Sequence, residues 1–114
     1  MTSSPPNFPQ NPNEWPSAIT YCDCDFRPAV CDMAKAVTEL ELWDYFKNYD
    51  PPKDKGFMFS TNANINKLDN HDLVESHGHS GGSLAIAKRY IQYLACLGWD
   101  TFERELISSK EVPE

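Results

Sequence analysis

Apolar residues recur with helical spacing most persistently over residues 84–97. On a wheel that turns about 100° per residue, Leu84, Ile86, Ala87, Tyr90, Ile91, Tyr93, Leu94, Ala95 and Leu97 fill an arc of about 200°. Lys88, Arg89, Gln92 and Cys96 share the remaining side. So wide an arc predicts a helix over residues 82–97 that is covered on two sides, the central helix of the fold. Gly98 supplies the residue that can take positive φ and close it. Its start lies among Ser80, Gly81, Gly82 and Ser83, where a serine hydroxyl can accept from first-turn amides.

Shorter patterns flank this run. Thr38-Glu39-Leu40-Glu41 reads as a capping box, with threonine as cap and glutamate reaching back from N3. It predicts a helix over residues 38–49 with Leu42, Trp43, Phe46 and Tyr49 on one side, stopped by Asp50-Pro51-Pro52. Residues 34–37 fit either an extended piece or a first helical turn. Lys53-Asp54-Lys55-Gly56 reads as an exposed turn, and Phe57-Met58-Phe59 as an extended segment or an edge strand. Residues 62–70 fit a short helix burying Ile65 and Leu68, and residues 72–76 extend it or form a loop. Asp100-Thr101-Phe102-Glu103 resembles a second capping box, opening a helix to residue 107 that buries Phe102 and Leu106. Residues 110–114 are expected to fray. The patterns together predict a mainly α fold: a bundle of about four short helices around the central one, within residues 31–109.

Residues 1–30 differ in kind. They hold Pro5, Pro6, Pro9, Pro12, Pro16 and Pro28, six of the nine prolines, among serines and asparagines. Regular helix is excluded there on this reading, and an extended, proline-rich arm is expected. A bare linker has no use for Phe8, Trp15, Tyr21 and Phe26, since buried aromatics contribute large apolar area. These four read as anchors that dock the arm, either on this chain's own domain or on a partner.

Composition narrows the function classes. Apolar residues make up 40% and aromatics 12% of 114 residues, which suits one globular domain with a modest core. A net charge of −7, with lysine and arginine spread thinly, repels nucleic-acid phosphates, so no nucleic-acid partner is expected. No apolar run reaches the length of a membrane span, and no secretory leader is evident, so no membrane partner and a soluble intracellular setting are expected.

Reactive side chains concentrate at the entrance of the central helix, His77-Gly78-His79-Ser80-Gly81-Gly82-Ser83. Bare first-turn amides, two glycines and two histidines there suit a phosphate or carboxylate, making His77, His79, Ser80, Gly81 and Gly82 an anion-binding candidate. Gly78-His79-Ser80-Gly81-Gly82 also resembles the G-x-S-x-G nucleophile elbow of lipases and esterases. That resemblance implies a strand before the serine and a histidine after it. Asp72-Leu73-Val74-Glu75 makes a poor buried strand, and no histidine follows Ser80 in the chain, so no catalytic residue is assigned.

Four cysteines and three histidines also raise a metal. Cys22, Cys24 and Cys31 with His77 and His79 offer a Cys₃His or Cys₂His₂ donor set for zinc, which would tie the arm to the helix entrance. The C-x-C spacing is tight for chelation, and the alternative is reduced thiols packed as small hydrophobes, with no cofactor. The expected function is a non-enzymatic interaction or assembly module, with a protein partner or self-association through the aromatic arm. A zinc-stabilised module and an anion-binding or hydrolytic site at the helix entrance are the alternatives.

Overall fold

The computed structural model describes residues 5–21, 23–49 and 63–111, with backbone only at Tyr21 and at 109–111. Cys22, the Asp50-Pro51-Pro52 stop, the turn over residues 53–56 and Phe57-Met58-Phe59 therefore lie outside the described residues. What is described is mainly helical, a small bundle as the periodicity predicts.

The chain enters through a 3₁₀ turn, Pro12–Glu14, capped by Asn11, whose side chain accepts from the Asn13 amide at 3.0 Å. Two short antiparallel strands follow, β1 (Thr20–Tyr21) and β2 (Cys24–Asp25), with Thr20 opposite Asp25 and Tyr21 opposite Cys24. Asp23, at φ 67°, turns the chain between them, a conformation that aspartate tolerates better than most residues. This hairpin was not legible as such in the sequence, where its residues read as extended arm.

Helix α1 (Arg27–Leu40) is the largest departure from expectation. Its first turn lies inside the proline-rich arm, and Thr38, expected to start a helix, lies near its end. Pro28 is no obstacle, because a first-turn amide has no intrahelical acceptor to lose. Asp25 Oδ1 accepts from the Arg27 amide at 3.0 Å, just ahead of the N-cap residue Phe26. Thr38 Oγ1 donates to the Ala34 carbonyl at 2.8 Å and accepts from Trp43 Nε1 at 3.0 Å, so its hydroxyl braces the next helix instead of capping its own. Glu41, in the left-handed conformation at φ 58°, ends α1. Helix α2 (Trp43–Lys47) then buries Trp43 and Phe46. The single helix expected over residues 38–49 is thus broken by the left-handed Glu41 and by Leu42, the cap of α2.

Helix α3 (Ala63–Asp69) buries Ile65 and Leu68 as expected, and α4 (Asp72–Glu75) buries Val74. Helix α5 (Gly81–Leu97) carries the predicted cap: Ser80 Oγ accepts from the Ser83 amide at 3.1 Å. It closes at Gly98, at φ 79° and ψ 162°, a region open essentially to glycine alone. Helix α6 (Trp99–Glu111) starts one residue later, so Asp100 sits in its first turn and is not its cap. Phe102 and Leu106 are buried, as predicted.

Helices α1, α2 and α6 all pack on α5, which makes it central in connection. It is not the most buried element. Helix α1 buries Ala29, Val30, Cys31, Asp32, Met33, Ala34, Ala36 and Val37, whereas α5 buries Ala87, Ile91 and Leu94. The arm completes the core in cis. The Trp15 ring lies edge-on to Trp99 at 4.8 Å and to Phe102 at 6.2 Å, and its Nε1 donates to the Pro9 carbonyl at 3.0 Å. Phe8 fills the gap between Trp15 and Trp43, at 5.9 and 6.1 Å.

Candidate functional site

Helix α1 presents one acid inside the core, and the loop between α4 and α5 presents two histidines to it. Asp32 is only 8% exposed, flanked by Cys31 and Met33 in an otherwise apolar run. A buried carboxylate needs partners to offset its lost hydration. Both come from the loop: His77 Nδ1 lies 2.6 Å and His79 Nε2 2.9 Å from the same Asp32 Oδ2. Gly78 stands between the histidines at φ 73°, reversing the chain so that alternate residues can aim at one oxygen. The two rings meet edge-on with centroids 6.2 Å apart. His79 is largely covered, while about half of the His77 side chain faces solvent.

Two neutral imidazoles can both donate to Oδ2 only as different tautomers, His77 protonated on Nδ1 and His79 on Nε2. The third histidine repeats the theme. His71 Nδ1 accepts from the Leu73 amide at 3.1 Å, capping α4, and its Nε2 lies 2.9 Å from Glu39 Oε1. All three histidines of the chain therefore tie the α4 region to acids of α1.

The other residues of the helix entrance stand around this arrangement. The histidines meet a carboxylate, but it is the chain's own Asp32 and not a ligand's. Ser80 Oγ is engaged as a cap, and among the described residues no histidine hydrogen-bonds it. Gly81 and Gly82 form the exposed first turn of α5, and a Cβ at Gly82 would meet only Ser80 Oγ. Of the cysteines, Cys31 is buried beside Asp32 in sequence, but its Sγ points to the Gln10 carbonyl at 3.4 Å. Burial pushes the Cys31 thiol up, which disfavours the thiolate that zinc requires. Cys24 is exposed, and neither it nor Cys31 belongs to the group formed by Asp32, His77 and His79. Asp32 was missed in the sequence. The available signal was a lone acid within Ala29-Val30-Cys31-Asp32-Met33-Ala34, a run too apolar for a solvated face.

Comparison with protein-family models, curated proteins and solved structures finds no match.

A second feature lies on the outer side of α5. Tyr93 is 54% and Leu97 36% exposed, large apolar side chains left open by the described residues. With the half-buried Ile86 and Tyr90 they form a stripe at steps of four, three and four. Ile86, Arg89, Tyr90, Gln92 and Tyr93 line an open groove of about 560 Å³. The arm aromatics, by contrast, face inward: Trp15 and Phe26 are buried, Phe8 is half-buried against Trp15 and Trp43, and the Tyr21 side chain lies outside the described residues. No helix among the described residues is long and apolar enough to cross a membrane.

Proposed function

We propose that the protein is a non-enzymatic interaction module whose docking face is the outer side of α5, not the arm. The exposure of Tyr93 carries this reading, because an aromatic ring left half in water has not been used by its own core. Tyrosine and arginine are the residue types that interfaces favour, and Tyr90, Tyr93 and Arg89 supply both to one groove. The stripe of Ile86, Tyr90, Tyr93 and Leu97 has the spacing that an amphipathic helix of a partner would read. A second copy of the chain fits less well, since two surfaces of net charge −7 repel. The occupant is therefore a helix of a different, less acidic protein. The arm contributes by completing the fold: with Trp15 and Phe26 in the core, its aromatics hold α1 and α6 in place.

Site-specific photo-crosslinking in cells tests this reading. A crosslinker at Tyr93 or Leu97 should yield one discrete product that Tyr90→Ala in the same chain abolishes, while the exposed Glu105 on α6 yields none. Equal products from all three positions, or none from any, would overturn it. A product of twice the chain's own mass would replace the partner with a second copy.

A further inference from the structure

We infer that Asp32, His77 and His79 form a binding site for a divalent transition-metal ion of the zinc class. The inference is independent of the docking face on α5.

The donor atoms are already gathered. Asp32 Oδ2, His77 Nδ1 and His79 Nε2 all lie within 4.8 Å of one another. In a tetrahedral zinc site, bonds of about 2.0–2.2 Å place ligand atoms about 3.3 Å apart. The two nitrogens now stand 2.6 and 2.9 Å from the carboxylate oxygen, so each needs to withdraw by about half an ångström to admit an ion. His77 has room for that motion, because about half of its side chain faces solvent. Each imidazole would bind the ion through the nitrogen that now faces Oδ2, any proton on that nitrogen passing to solvent or to the other ring nitrogen as the ion enters.

Donor chemistry sets the class. Two imidazoles and one carboxylate suit zinc and its late first-row neighbours, whereas calcium and magnesium require oxygen ligands throughout. The charge is also appropriate. A dication would supply compensating charge to a nearly buried carboxylate. Three protein ligands leave a fourth position for water on the open, His77 side. The protein scaffold differs from the one expected in the sequence: the histidines remain, and an acid of α1 replaces the cysteines. A bound ion would fasten the turn at Gly78 to the middle of α1, and so fix the start of α5.

The full chain, purified and stripped with chelator, provides the test by calorimetric titration with Zn²⁺ and by thermal melting. The expected result is one equivalent bound at micromolar Kd or tighter, with a rise in Tm that Mg²⁺ and Ca²⁺ do not reproduce. His77→Ala and His79→Ala should each weaken binding more than about tenfold, since altering even the outer hydrogen-bond partners of a metal ligand costs about 10–100-fold. The Cys22→Ser, Cys24→Ser double variant should keep the wild-type Kd within a factor of about two, since the proposed donors are Asp32, His77 and His79. Co²⁺ should give visible absorption of a four-coordinate ion without a sulfur charge-transfer band. Asp32→Asn can fail by misfolding, so His77→Ala, at a half-exposed side chain, is the deciding variant, with circular dichroism as its folding control. No uptake by the wild type, uptake indifferent to both histidine variants, or uptake lost in the cysteine double variant would each overturn the assignment.

Discussion

Helices α1 and α5 are the two longest among the described residues, and they differ in how much of their apolar surface the fold encloses. Helix α1 is rich in small residues: Ala29, Ala34 and Ala36 are all buried, with Val30, Met33 and Val37 between them. Short side chains let neighbouring backbones come close, so α1 can be enclosed by the 3₁₀ turn, α3, α4 and α5 together. Helix α5 carries isoleucine, leucine and two tyrosines around a wide arc, yet its buried positions reduce to Ala87, Ile91 and Leu94. The more conspicuous helix in the sequence is the less enclosed one in the fold. Apolar arc width records how much a helix can bury, and enclosure depends on which neighbours reach it. Surplus apolar surface on α5 is what points to a partner, and the single buried acid on α1 is what points to an ion.

The comparison yields sharp tests. The largest effect is expected at the arm that seals the core: Trp15→Ala should destabilise the fold by about 3–5 kcal/mol in a denaturant titration. A loss below about 1 kcal/mol would return the arm to a role as a loosely held docking segment. Next comes the junction of α5 and α6. Gly98→Ala should cost about 1–3 kcal/mol from backbone strain alone, because nothing lies within 4 Å of the added Cβ. A neutral result would mean that the junction relaxes to an ordinary helical turn.

Cysteine reactivity compares the two helices directly. Cys31 on α1 is buried and Cys96 on α5 is exposed, its Sγ 3.7 Å from the Lys47 carbonyl. Native protein should therefore be alkylated at Cys96 and Cys24 promptly, and at Cys31 only on unfolding. The same burial has a pH consequence. The Cys31 thiol is raised in the folded state, chiefly by burial, so above the ordinary thiol range of about 8.5 the unfolded chain binds fewer protons than the folded one. Burial raises the Tyr90 phenol in the same direction. Their contributions are complete below the unfolded pKa values and fade as pH rises through the folded ones, so stability should decline on the alkaline side. Cys31→Ala should reduce the part of that decline that begins near pH 8.5. The smallest effect belongs to the outer face: Tyr93→Ala should change stability by no more than about 0.5 kcal/mol while removing the face-specific crosslink. A loss of several kcal/mol would show that Tyr93 is a packing residue and that the face is not free.

Much of the helical pattern was legible from residues alone. The Ser80 cap and the Gly98 stop around α5 are local chemistry, a hydroxyl accepting an amide and a glycine free to take positive φ, and both stand where the sequence places them. Ile65 and Leu68 on α3, and Phe102 and Leu106 on α6, were identifiable as core positions from spacing. Helix α1 was not, because its local signals point elsewhere: prolines ahead of it suggest extended chain, and Thr38-Glu39-Leu40-Glu41 imitates a start. A capping box is worth only about 1 kcal/mol. The packing of a whole apolar face outweighs it, so tertiary burial carried the helix through Thr38 and moved the break to Glu41.

The candidate site divides along the same line. His77 and His79 could be singled out from the sequence because two imidazoles around a glycine are chemically conspicuous. Asp32 lies 45 and 47 residues away, and no local rule joins it to them. Sequence by itself determined the helical periodicity of α3, α5 and α6, where α5 starts and stops, and that the chain is acidic. Tertiary structure alone decided which carboxylate the histidines meet, that the arm's tryptophan belongs to the core, and that Tyr93 and Leu97 of α5 stand exposed among the described residues. The physical reason is range: caps, turns and periodicity act over a few residues, whereas burial and ion pairing depend on elements that only the folded chain brings together.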